Sequence, residues 1–411
     1  MSNETALYRI VIDIGSPLPS VEVPAGYYGL GVFLRSRNRP IGYFHHRAEP
    51  SKVFSPGEFA ELILERAGTD IIRSAFADQH PASTRAMPCV SVAICTKDRA
   101  WSLAMCLASL EPLQFPDERT TPAFEIVVVD NAPSDSSTKD LVQSSRAVRY
   151  VLESKPGLDF ARNTAVRHAT GDYVAFLDDD VAVDSAWFDR LAAALSTNPD
   201  AGGVTGSVMP MELTTRAQIL FEERGGFNRG FGSRRNHQDA IANVSHPCDA
   251  GMFGAGCNMV FRRDLLLEIG LFDEALDTGA PLPGGGDLDI FYRVLRAGKV
   301  LVYQGSMAVY HRHRRDYKGL RRQMWTWGQG YMAFAAKTHQ TDAANRFRVR
   351  IAALGSFVFF GRMAIGSALG RWKHEWTFGL AAWEIGGAIQ GLAGEYRRSQ
   401  RRINAILSRH A

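Results

Sequence analysis

Short apolar runs alternate with amphipathic stretches through the middle of this chain. Residues 90–96, 124–129, 148–152 and 173–177 are compact and apolar on successive positions. Runs of this length without polar alternation read as strands buried on both faces of a sheet. Between them, residues 101–110, 159–170 and 187–195 carry helical spacing, and 288–297 form a further helix closed by Gly298. Residues 259–267 add another ordered apolar stretch. Strands that alternate with helices predict a mostly parallel sheet with helices on both faces.

The flanks follow other patterns. Residues 7–14 alternate and end in Gly15-Ser16-Pro17, while 27–34 and 41–45 are strand-like and joined by the polar 35–40, a hairpin signal. Ser55-Pro56-Gly57-Glu58 opens an amphipathic helix to about Phe76, with Ser55 as N-cap and Glu58 completing a capping box. Residues 79–88 read as a linker. The predicted organisation is an α+β accessory unit over 1–85, an α/β catalytic domain over 88–330 and a helical, basic extension over 331–411. In that extension 351–369 and 376–392 are apolar, broken by Arg362 and Glu384, and followed by Arg397, Arg398, Arg401 and Arg402. Two readings stand: a helical hairpin lying in an anionic membrane interface, or a buried pair packed on the catalytic domain or in a dimer.

Composition narrows the class. Hydrophobic content of 45% with 22% charged residues is that of a globular protein, and a net charge of +4 is too weak to point to nucleic acid. The five cysteines (Cys89, Cys95, Cys106, Cys248 and Cys257) have no metal-type spacing and an odd count, which fits a reducing compartment. With no charged-then-apolar leader at the start, the expected location is the cytoplasm, at the cytoplasmic face of the inner membrane if the tail touches lipid.

The chemistry gathers at strand ends. Val174-Ala175-Phe176-Leu177 runs straight into Asp178, Asp179 and Asp180. Three like charges at one point persist at low cost only when solvated or neutralised by a cation, and carboxylate oxygens suit Mg²⁺ or Mn²⁺. Three other strand ends also deliver polar residues: Thr96-Lys97-Asp98-Arg99, Asp130-Asn131, and Pro156-Gly157 with Ala161-Arg162-Asn163. In a doubly wound sheet such ends converge on one crevice.

With these four segments the chain resembles the family 2 glycosyltransferases of GT-A fold, over roughly residues 90–330. The opening strand and its loop, the Val127-Val128-Val129-Asp130-Asn131 segment, the P-G…A-R-N helix start and the D-x-D type signature at 171–180 carry the likeness. It implies that Thr96, Asp98, Arg99 and Asp130 hold the nucleoside, with Arg162 near the phosphates and Asp178 and Asp179 on the donor. It implies that Asp180 binds a divalent cation, Mg²⁺ or Mn²⁺, with His311 of Tyr310-His311-Arg312-His313 as a further ligand and His313 as its alternate. Gly284-Gly285-Gly286-Asp287-Leu288-Asp289 is similar to the family's G-E-D-x-D segment and implies Asp287 as catalytic base, either with or instead of a role capping the helix that starts at Leu288. Gly286 departs from that pattern and removes a carboxylate beside the base. Gly256 and Asn258, in a segment similar to the family's G-x-N, are expected on the acceptor side together with Asp289 and Trp325; a packed helix face is the other reading of Trp325.

The activity implied is inverting transfer of a sugar from a UDP-, GDP- or dTDP-linked donor to a hydroxyl of a glycan or lipid-linked acceptor, in envelope polysaccharide or other glycoconjugate synthesis. Two rivals remain. A sugar nucleotidyltransferase would want a glycine-rich phosphate loop where Thr96-Lys97-Asp98-Arg99 stands. A non-catalytic sugar-nucleotide-binding or scaffold protein on the same fold is kept alive by Gly286.

Overall fold

The computed structural model describes residues 6–78, 88–116, 123–237, 250–276, 282–369 and 376–410. The linker lies largely outside these residues, as does Cys248.

The first unit contains β1 (Tyr8–Asp13), β2 (Val21–Glu22), β3 (Gly29–Ser36), β4 (Arg39–Arg47), β5 (Val53–Phe54) and α1 (Pro56–Asp78). β1 pairs parallel with β3, and β3 turns into β4 as the polar hairpin predicts. Arg37 and Asn38, at the turn, have φ of 48° and 58°, which suits the right-handed twist of the two strands. The capping box also forms: the Glu58 N–H donates to Ser55 Oγ at 3.3 Å, and the Ser55 N–H donates to Glu58 Oε2 at 2.8 Å. Leu30, Val32, Leu34, Ile41, Phe59 and Ile63 fill a separate core beneath α1.

The central domain contains β6 (Val90–Thr96), α2 (Ala100–Gln114), β7 (Glu125–Asn131), α3 (Ser137–Ser144), β8 (Val148–Glu153), α4 (Leu158–His168), β9 (Tyr173–Asp178) and β10 (Val181–Val183). It continues with α5 (Trp187–Thr197), β11 (Ala201–Pro210), α6 (Arg216–Glu223), β12 (Ser233–Asn236), β13 (Asn258–Arg262), α7 (Arg263–Glu268), α8 (Gly286–Arg296) and β14 (Val300–His311). Among the described residues these strands make one nine-stranded sheet in the order β8-β7-β6-β9-β13-β11-β14-β10, with β12 beside β14. β6, β7, β8 and β9 are mutually parallel, whereas β13 runs antiparallel to both β9 and β11. Two apolar cores cover the two faces, one built on Ile94, Leu103, Val128 and Trp187, the other on Val127, Ala165, Phe261 and Phe291. The chain moves outward from β6 to β8 and then returns to place β9 on the other flank of β6. That reversal is a topological switch point, and the carboxyl ends of β6 and β9 open a crevice there.

Three expectations are corrected. The apolar 259–267 is not one element. Arg262 pairs with Tyr173, the first residue of β9, and after one more bond, from the Arg263 N–H to Asp172 O, the chain turns into α7. β11 and β14 were not foreseen, because β11 carries Gly202, Gly203 and Gly206 and β14 is interrupted at Gln304-Gly305-Ser306. Glycine weakens a strand in isolation, but here it lets neighbours close in: a Cβ on Gly203 would lie 2.5 Å from the Phe261 ring. Finally, the 330/331 boundary falls inside α9 (Tyr317–Thr341), a continuous helix whose first turn is capped by Asp316 accepting from the Gly319 N–H at 2.7 Å.

The two apolar C-terminal segments separate in character. α10 (Arg346–Ala368) exposes Phe347 (73%), Leu354 (65%) and Ile365 (62%). α11 (Trp376–Gln390) instead packs on α9 through glycines: a Cβ on Gly328 would meet Glu384 O at 2.0 Å, and one on Gly387 would meet Trp325 O at 1.9 Å. Glu384, which breaks the apolar run, pairs with Arg224 at the end of α6. So α11 is the buried helix of the two readings, although Ile389 stays exposed on it, and α10 exposes the larger apolar face. α12 (Tyr396–His410) closes the chain against the 3₁₀ turn Glu274–Leu276 through Ile403, Ile406 and Tyr396.

Candidate functional site

At the crevice, β9 ends at Asp178, and Asp179 and Asp180 turn back towards β10. Thr96 Oγ1, at the end of β6, donates to Asp179 Oδ2 at 2.6 Å. Arg99 bridges the cluster, with Nη1 2.9 Å from Asp179 Oδ1 and Nη2 2.9 Å from Asp180 Oδ2. Burial pushes Asp179 up to about 7 despite Arg99 and Thr96, and pushes Asp178 up to about 6 with the help of Asp180. Burial acts on Asp180 in the same direction, but His311 and Arg99 outweigh it and hold its pKa below the usual carboxylate range. Burial lowers His311 to about 4, so the ring is neutral near pH 7 and Arg99 is then the cation that holds Asp180 down.

The neighbours of His311 decide which of its nitrogens is free. His313 Nε2 lies 2.8 Å from Glu222 Oε1, and the Nδ1 atoms of His313 and His311 are 2.9 Å apart. A carboxylate only accepts, so His313 donates from Nε2, and in its neutral form it accepts at Nδ1. With that form of His313 the His311 proton is on Nδ1, which leaves its Nε2 lone pair facing Asp180 Oδ1 at 3.4 Å. Asp180 Oδ1 is buried and has no hydrogen-bond partner among the described residues. Two acceptors facing each other across such a gap fit a cation between them, with Glu222 and His313 orienting the imidazole from behind. Among the described residues no group of three His, Cys, Asp or Glu side chains is gathered for a metal, and Asp180 and His311 bring two such side chains together.

Asp98, with φ of 53°, accepts the Ser134 N–H at 2.7 Å and so ties the loop after β6 to the loop after β7. Asp130 is fully buried at the end of β7. Tyr150 donates to its Oδ2 at 3.0 Å, while its Oδ1 has no partner among the described residues.

α8 begins one residue earlier than Asp287. Its N-cap is Gly285, at φ 98°, so Asp287 sits inside the first turn and is not the cap. Asp287 Oδ2 accepts the Gly256 N–H at 3.2 Å, and its Oδ1 accepts the Leu288 N–H at 2.9 Å. Arg162, nearly fully buried, donates to Asp159 Oδ1 at 3.0 Å. A Cβ on Gly256 would lie 3.0 Å from Arg162 Nη2 and 3.3 Å from Asp287 Oδ2, so the guanidinium and the carboxylate both flank this glycine. Burial works against the Arg162 charge, but Asp159, Asp178 and Asp287 together raise its pKa.

Three acceptor-side expectations are corrected. Asn258 is fully buried, and its side chain accepts from Trp187 Nε1 at 2.9 Å and donates to Ser207 O and Met307 O at 3.0 and 2.8 Å. It braces the sheet, with both amide N–H donors used and the side chain closed off from solvent. Asp289 is buried between Arg293 Nε and Lys337 Nζ, each at 2.7 Å, and locks α8 to α9. Trp325 donates to Gln390 Oε1 at 2.8 Å and packs on Trp383 with ring centroids 5.5 Å apart. It belongs to the α9–α11 seam. Three supporting residues were missed: Tyr150, Glu222 and Asp159. Each lies far along the chain from the group it orients or looks like an ordinary helix or strand residue, so spacing gave no signal.

The fold and this crevice define an α/β domain whose carboxylates converge at a sheet switch point. Residues 91–270 match the family described as Glycosyl transferase family 2, and this domain belongs to that family. Among curated relatives, the chain is 27% identical over 191 residues to the glucosyl-dolichyl phosphate glucuronosyltransferase of Haloferax volcanii, covering 45% of this chain and 56% of that protein. It is 32% identical over 124 residues to the succinoglycan biosynthesis protein ExoM of Rhizobium meliloti, covering 29% and 38%. The chain thus spans about half or less of these relatives. A solved structure of the mannosyltransferase PcManGT from Pyrobaculum calidifontis, in complex with GDP-Man and Mn²⁺, aligns with TM-score 0.48 at 20% identity over 81% of this chain and 97% of that one.

Proposed function

We propose that this chain is an inverting, metal-dependent glycosyltransferase that moves a sugar from a nucleoside-diphosphate donor to an acceptor hydroxyl. The observation that carries this reading is a convergence of groups: Asp178, at the strand end that also carries the Asp180–His311 pair, and Asp287, held by two backbone N–H groups, act on the same buried Arg162. Asp98 and Asp130, at the ends of β6 and β7, bind the nucleoside. Asp180 and His311 hold a divalent cation, which stabilises the negative charge of the departing diphosphate. Arg162, acted on by both Asp178 and Asp287, adds a fixed positive charge. Asp287 takes the proton of the acceptor hydroxyl as its oxygen attacks the anomeric carbon from the face opposite the leaving group. One base suffices for this single displacement, unlike glycoside hydrolysis with its paired carboxylates.

The names of these relatives, a glucosyl-dolichyl phosphate glucuronosyltransferase and a succinoglycan biosynthesis protein, favour a lipid-linked or polysaccharide acceptor. The uncovered face of α10 supports the same reading. It carries Leu354, Val358 and Phe359 exposed, and Arg346, Arg348 and Arg350 in its first turns, as a helix lying in an anionic interface does. We place the enzyme at the cytoplasmic face of the membrane. The full-length protein is expected to sediment with phosphatidylglycerol vesicles, and Leu354→Asp/Phe359→Asp to remain in the supernatant; equal sedimentation of both removes α10 from the interface.

Calorimetry with UDP, GDP and dTDP, with and without Mn²⁺, tests the site. One nucleotide is expected to bind tightly only with metal, and Asp180→Asn to weaken that binding by roughly 10- to 100-fold. Binding indifferent to metal overturns the role of Asp180, and no binding at all favours the scaffold reading.

A further inference from the structure

Gly286 is not a glycine for its backbone. Gly284 and Gly285 have φ of 133° and 98°, the left-handed region that favours glycine, but Gly286 is the first residue of α8 and has no such φ. What requires glycine there is space. A Cβ at 286 would stand 2.1 Å from Asp159 Oδ2, 2.9 Å from its Cγ and 3.0 Å from its Oδ1. All three nearest atoms belong to one carboxylate. A side chain at 286 and the Asp159 carboxylate therefore exclude each other.

Asp159 is fully buried in the first turn of α4. Its Oδ1 accepts from Arg162, and its Oδ2 has no hydrogen-bond partner among the described residues. Arg162 in turn reaches Gly256, whose N–H holds Asp287. The first turn of α4 and the first turn of α8 are thus fitted together by a carboxylate, a guanidinium and two glycines. An acidic residue in a first helical turn is usually explained by the helix dipole. That explanation accounts neither for complete burial nor for a glycine on a different helix that makes room for it.

We propose that Asp159 is a positioning residue of the acceptor side: its carboxylate fills the volume left open by Gly286 and, through Arg162, fixes the direction of Asp287. The carboxylate that the sequence lacks beside the base is supplied from α4. This inference rests on the glycosyltransferase reading.

The test moves the carboxylate between the two helices in the full-length protein. Asp159→Ala removes it, Gly286→Ala displaces it, and the double variant Asp159→Ala/Gly286→Glu supplies it from α8. Readouts are melting temperature, calorimetric binding of the nucleoside diphosphate with Mn²⁺, and kcat and KM for release of that diphosphate from its sugar nucleotide. Each single variant is expected to lower kcat by about tenfold or more, since a displacement near 1 Å in a catalytic group can cost about a hundredfold. Nucleotide affinity and donor KM should stay within about twofold of wild type, and the double variant should recover most of kcat. A purely structural role for Asp159 would move melting temperature but give no recovery on relocating the charge. Singles that turn over at the wild-type rate, or a folded double variant no faster than Asp159→Ala, overturn the inference. Gly286→Ala retains the buried ion-pair residues and decides the question should Asp159→Ala fail to fold. A wild-type protein that binds nucleotide but shows impaired singles without rescue refutes only this inference; one that binds and releases no nucleotide refutes the reading beneath it.

Discussion

Asp287→Asn is expected to lower sugar transfer by about 10²- to 10⁴-fold, the range contributed by a positioned general base. Nucleotide binding in the presence of Mn²⁺ should stay within about twofold of wild type, because Asp287 is held by the backbone of Gly256 and Leu288 and has no bond to Asp180 or His311. The substitution is also structurally mild. Asp287 accepts from the backbone N–H groups of Gly256 and Leu288, and an asparagine oxygen keeps one of these bonds while the helix retains its glycine N-cap. What is lost is the ability to take a proton. Steady-state kinetics beside calorimetry on the same preparation separates the two effects. Transfer at the wild-type rate would remove Asp287 from the role of base, and loss of nucleotide affinity in parallel would place it in donor binding.

The parts of this site legible in the sequence are those where strand chemistry changes abruptly. A buried strand cannot hold carboxylates in its interior, so the step from Phe176-Leu177 to Asp178-Asp179-Asp180 marks both the strand end and the crevice. The same logic located Thr96 and Asp130. It failed for Asn258, because an asparagine in an apolar run looks the same whether it faces a ligand or, as here, two buried carbonyls and an indole N–H. It failed for Trp325 because one sequence cannot say which neighbour covers a helix face; the glycines of α9 and α11 that admit close backbone contact decide it. Glu222 and Asp159 were invisible for a further reason. Their importance lies in pairings to His313 and Arg162 that follow from how helices dock on the sheet, and not from periodicity within a helix. β11 and β14 were missed because three glycines and a polar interruption look unlike strand sequence until the bulky neighbours that need the space are in place.

Asp178→Asn should make the metal-free protein more stable above pH 6 while weakening metal-dependent nucleotide binding. Asp178 lies among like charges, and burial, then Asp180, raise its pKa to about 6, only partly offset by Arg162 and Arg99. A raised carboxylate pKa means that the folded state takes up a proton that the unfolded chain has already lost. The destabilisation from the charged carboxylate is therefore absent at low pH, grows between about pH 4 and 6, and is complete above 6. A shift of roughly two units corresponds to at most about 3 kcal/mol, and about 1–3 kcal/mol after allowance for solvent at the mouth of the crevice. Asparagine removes that charge, so its melting temperature should exceed that of wild type at pH 8, with the difference shrinking towards pH 5. Mn²⁺ with nucleotide should reverse the order, because the ligands stabilise the wild-type folded state in proportion to their affinity for it. Melting curves at pH 5 and 8, with and without Mn²⁺ and nucleotide, read all four corners. A difference independent of pH would mean that Asp178 is charged at both pH values and that the crowding of carboxylates at this strand end costs the fold little. The expected pattern would make the same three aspartates the least stable point of the empty fold and the point that cation and donor stabilise most.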